Sequence, residues 1–153
     1  MPTSEEHIRQ AQHNIDFLET FFESHTFNDW SITVSFYSAV HIIENAIFNS
    51  ANLTYSGKPI KISHSTDLLS ALQKINTQIA QNSPHIYRSL IVQENFSDIS
   101  DFYSLLYKES RNARYKGYQF KNNDTNLIVK PAIREIVNWS NDKFKTGLKL
   151  AIK

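Results

Sequence analysis

The chain has 153 residues, of which 41% are hydrophobic and 20% charged, and its net charge is +1. That length and balance fit one folded domain spanning residues 1–153 and exclude a disordered chain. Three glycines and four prolines are too few for the turns of an all-β fold, and the absence of cysteine excludes disulfides and thiolate metal sites.

The first helix is predicted over about Ser4–Ser24. Thr3 and Glu6 have capping-box spacing, and Ile8, Ala11, Ile15, Leu18 and Phe22 form an apolar stripe. Met1 to Glu6 lacks the basic and apolar regions of a signal peptide, so a cytoplasmic setting is expected. Thr26–Asp29 reads as a turn, with Asn28 or Asp29 capping the second helix.

That second helix, Trp30–Phe48, is apolar on two faces, which predicts a central position between neighbours. His41, Glu44, Asn45 and several hydroxyl residues interrupt it, so a buried helix is expected rather than a membrane span.

Residues 49–63 read as a loop, because Pro59 disfavours helix at Lys58. A third helix is predicted over 65–81, with Leu68, Leu69, Leu72, Ile75 and Ile79 inward, and His85–Gln93 as a short helical turn. The fourth long helix starts at Ser97 or Asp98 and runs through Tyr115. Lys116–Asn126 reads as a second loop, and a last helix is predicted over Leu127–Leu150 with Pro131 in its first turn. No run alternates long enough for a strand. The expected fold is all-α, an antiparallel bundle of four to five helices.

Charge is unevenly placed. Residues 1–29 carry Glu5, Glu6, Asp16, Glu19, Glu23 and Asp29 against Arg9 alone, whereas residues 108–121 carry Lys108, Arg111, Arg114, Lys116 and Lys121 against Glu109. A local basic patch attracts phosphate even when the total charge is near zero. Arg111 and Arg114 fall one turn apart, suited to holding phosphate through paired N–H donors. Tyr115, Tyr118 and Phe120 are placed to stack on bases beside them, or to anchor the loop.

His41 is either a general base near neutral pH or a core imidazole bonded to Tyr37, Asn45 or the fourth long helix. Arg111 and Arg114 have a structural alternative too: pairing with Glu44 or Asp101. His64, at a loop–helix junction, is either a partner acid or an ordinary N-terminal residue. His7, His13, His25 and His85 form no pattern in sequence. Without cysteine or two histidines one turn apart, no metal site is expected, and no Gly-rich phosphate loop or nucleophile elbow is present.

The run from Trp30 to Glu44, with Phe36-Tyr37-Ser38-Ala39 and His41, then Ser63-His64, then Tyr103 to Tyr115 ending Ser110-Arg111-Asn112-Ala113-Arg114-Tyr115, resembles HEPN-like helical-bundle proteins of bacteria. The resemblance covers about residues 25–120. It implies an RNA-directed role and homodimerisation, with the site at the dimer seam; many such proteins are metal-independent endoribonucleases of defence or toxin systems. The family's catalytic pattern, Arg followed after four to six residues by His, is missing after both Arg111 and Arg114.

Two readings follow. One is a non-catalytic module that uses Arg111, Arg114, Tyr115, Lys116 and His64 to bind RNA, a nucleotide or a protein partner. The other is a ribonuclease with a displaced site, His41 as base and Arg111 on phosphate. Neither requires a cofactor, and no membrane partner is expected.

Overall fold

The computed structural model describes residues 2–62, 65–79, 83–117 and 119–153. Six α-helices occur among them: α1 (Ser4–Phe21), α2 (Asn28–Asn49), α3 (Leu68–Ile75), α4 (Pro84–Asn95), α5 (Ser100–Tyr115) and α6 (Asn122–Phe144). The fold class is all-α. Helix α2 packs against α1, α5 and α6, which makes it the centre of the bundle.

Thr3 caps α1 as its spacing predicts: its side chain accepts from the Glu6 N–H at 3.2 Å, and Glu6 accepts from the Thr3 N–H at 2.6 Å. The α-helix ends at Phe21. A single 3-10 turn, Phe22–Ser24, follows, and His25 takes a left-handed φ of 53° that stops the chain. Helix α2 begins at Asn28 itself, so neither Asn28 nor Asp29 is its cap. The Asn28 amide instead donates to the Phe120 carbonyl at 3.1 Å and ties this corner to the loop before α6.

Ser31, Ser35 and Ser38 are buried on α2, and each hydroxyl donates to the carbonyl four residues earlier. Those bonds let polar side chains sit inside the bundle without leaving an unpaired donor.

The segment expected as pure loop contains a small hairpin, β1 (Thr54–Tyr55) paired antiparallel with β2 (Lys58–Pro59). Ser56 and Gly57 have φ of 51° and 70°, the double positive φ of a tight hairpin turn. Their N–H groups donate to the Glu94 carboxylate at 2.7 and 3.0 Å, so α4 holds the turn.

Three later helices, α3, α4 and α6, are bounded differently from expectation. Helix α3 stops at Ile75, leaving Ile79 beyond it; a 3-10 turn, Ser65–Asp67, precedes it. The stretch read as a short turn is a full helix, α4, whose Ser83 hydroxyl accepts from the His85 N–H while Pro84 occupies the first turn. Helix α6 begins at Asn122, where the Lys121 N–H donates to the Asp124 carboxylate, and it ends at Phe144. Pro131 is therefore internal rather than in the first turn. Leu127, whose carbonyl loses its helical donor there, is 65% exposed, so water can take the donor's place.

Beyond α6 the chain reverses at Lys145 and runs back as a tail without regular secondary structure. Leu148 and Ile152 are buried in the core, and Gln12 on α1 exchanges two hydrogen bonds with the Lys149 backbone. No described helix is long and apolar enough to cross a membrane.

Candidate functional site

The basic end of the molecule is built by the last turns of α5 against the first half of α2. Ala113 is buried, which turns Arg114 toward α2 and leaves Arg111, Tyr115 and Lys116 exposed. The Arg114 guanidinium donates to the Tyr37 hydroxyl at 2.6 Å and to the Ser110 carbonyl at 3.2 Å, and lies over the Tyr37 and Tyr115 rings at 5.5 and 5.6 Å. Arg111 stands over the Tyr107 ring at 5.9 Å.

Arg114, Tyr37, Trp30, Thr33, Asp29 and Gly117 line an open cleft of about 440 Å³. Tyr115 is 78% exposed and Trp30 59%. Asp29 is the acid of this cleft; burial raises its carboxyl above the usual range, against a bond from the Phe120 backbone N–H.

Glu44 does not serve these arginines. It is buried, and its partner is Arg88 of α4, also buried, in a direct ion pair. Arg88 also meets the His85 Nδ1 at 3.0 Å. The His85 ring contacts Phe36, Tyr37 and Tyr107, so this imidazole sits between the Glu44–Arg88 pair and Arg114. Burial, then the charges of Arg88 and Arg114, push His85 down to about 4, so it is neutral at pH 7. The Tyr103 hydroxyl is buried near Arg88 without a hydrogen bond of good geometry, and burial pushes it up to about 12.

His41 lies one turn beyond Tyr37 along α2, where α1 covers the helix. Its Nδ1 lies 3.0 Å from Nδ1 of His7 on α1, and neither Tyr37 nor Asn45 is its partner. Asn45 binds Ser4 instead, at 2.6 Å. Burial, then the neighbouring His7, lower His41 to about 4. His41 and His7 open onto a cleft of about 740 Å³ that shares no lining residue with the basic cleft. Compared with protein-family models, with curated proteins and with solved structures, the chain matches none.

The residues singled out from sequence thus divide. Arg111, Arg114, Tyr115 and Lys116 share one end of α5, His41 lies with α1, and His64 falls outside the described residues. His85 and Arg88 went unrecognised because their helix was read as a short turn. Ser83-Pro84 was the available signal: a cap and first-turn proline put His85 and Arg88 one turn apart on one face. His7 was legible too, since His7, Ala11, Ile15, Leu18 and Phe22 continue one stripe of α1 toward α2.

Proposed function

We propose that this chain is a HEPN-like helical module that binds RNA, without cutting it, through the basic end of α5. One observation carries the reading. Arg111, Arg114 and Lys116 cluster on the last turns of α5 beside the Tyr107 and exposed Tyr115 rings, and none of the three joins an ion pair among the described residues.

Arg114 donates to a hydroxyl and a carbonyl, both neutral, and its cleft is open. Cations left uncompensated beside exposed aromatic rings suit a ligand that alternates phosphates with flat bases. Self-association belongs to the same reading. Phe17, Phe21, Phe27 and Trp30 form an apolar cleft of about 420 Å³, and Trp30 also lines the basic cleft.

Fluorescence anisotropy with an end-labelled single-stranded RNA tests this reading. Binding is expected at low salt, with an affinity loss of about tenfold in Arg111→Gln. Binding unchanged in Arg111→Gln and Lys116→Gln contradicts the reading.

A second reading, a metal-independent endoribonuclease, draws support from a different observation: His85 places a neutral imidazole beside Arg114. A neutral imidazole accepts a proton from a 2′-hydroxyl while the cations hold the phosphate. Cleavage of RNA in EDTA that vanishes in His85→Ala supports this reading; cleavage that persists there removes it.

A further inference from the structure

The cleft of about 740 Å³ where His7 and His41 meet is used by neither reading above. His7 comes from α1 and His41 from α2, both long helices packed along one another, so their separation is set by the bundle rather than by a loop. The ring centroids stand 5.3 Å apart with the planes tilted by 38°, and the two Nδ1 atoms are 3.0 Å apart.

Two imidazole nitrogens at that distance share either one proton or one cation. A late transition metal binds imidazole nitrogen at about 2.0–2.1 Å, and two such ligands subtending square or tetrahedral angles stand about 2.8–3.4 Å apart. The observed spacing falls inside that range.

The surroundings narrow the class of ion. The donors are nitrogens, which select copper, nickel or zinc over magnesium or calcium. Glu6, on the cleft wall, is committed to the cap of α1 and to Arg9 at 3.9 Å, while His13 lies on the same wall six residues from His7. No group of three or more metal-ligating side chains gathers among the described residues, so the His7–His41 pair is the chelate available there. We propose that His7 and His41 form a two-histidine site for a divalent late transition metal ion that bridges α1 to α2.

Copper(II), nickel(II) and zinc(II) titrations of the metal-free, untagged full chain, followed by calorimetry and, for copper, by paramagnetic resonance, test the site. One ion per chain is expected, with affinity in the order copper, then nickel or zinc, and two nitrogen couplings in the copper spectrum. His7→Ala and His41→Gln should each weaken binding about 100-fold, because each leaves a single ligand without its chelate partner. His13→Ala should change binding less than about twofold, since the pair alone supplies the chelate. Zinc should raise the melting temperature of the wild type and of His13→Ala but not of the other two variants. Wild-type affinity no higher than that of His7→Ala, or one nitrogen coupling in place of two, would overturn the proposal.

Discussion

One buried ion pair and the half-buried imidazoles define the chemistry at the scale of single residues. Glu44 and Arg88 are both inside the bundle, so removing either leaves the other charged and unpaired. Arg88→Met is expected to cost about 3–5 kcal/mol in urea unfolding, and Arg88→Met combined with Glu44→Leu to recover much of that loss. A single variant as stable as wild type would show that the pair is not desolvated.

The imidazoles give a pH dependence whose sign is fixed. His41 and His85 protonate near 6.5 when unfolded but only near 4 when folded. Between those values the unfolded chain binds more protons, so stability is complete above about pH 6.5 and declines as the pH falls toward 4. Urea midpoints at pH 7 and pH 4.5 check this, with the lower midpoint expected at pH 4.5. His41→Gln and His85→Gln should each flatten the slope.

Residue identity alone made His41 conspicuous, as a lone imidazole on an apolar helix. It did not reveal its partner, because the spacing within α2 does not say whether α1 or α5 covers that face. Glu44 was matched to the wrong arginine for the same reason.

Periodicity served well where an element is long and one-sided. Helices α1, α2 and α5 were legible from their apolar stripes, and the α1 start from Thr3 and Glu6. Thr3→Ala is expected to destabilise the protein by about 1 kcal/mol, read as a lower melting temperature. The start of α6 was missed because Asn122–Asn126 contains no apolar residue. Its signal is the Asp124 carboxylate reaching back to the Lys121 N–H. The end of α6 was missed because Leu148 is buried from an irregular tail as well as it would be from a helix.

The hairpin is held by contacts far away in sequence. Glu94→Ala removes the acceptor for both turn N–H groups, and faster amide exchange confined to the 54–59 segment is expected. Protection that stays intact there would show that Asn95, bonded to Thr54, suffices on its own.

Across the whole molecule, charge separates more sharply than the net value of +1 suggests. Acids outnumber bases on α1, whereas Arg111, Arg114 and Lys116 crowd the last turns of α5 with no ion pair among the described residues. The all-α bundle and that basic end were both legible from composition, periodicity and charge distribution. The division of the histidines was not, since it depends on which faces of α2 meet α1, α4 and α5.

The salt dependence of RNA binding tests the account most directly. If Arg111, Arg114 and Lys116 contact phosphates, the logarithm of affinity for single-stranded RNA should fall with the logarithm of salt at a slope of about −2, and Arg111→Gln should reduce that slope by about 0.7. A slope near zero, or one that Arg111→Gln and Lys116→Gln leave unchanged, would contradict a phosphate-binding role for the end of α5.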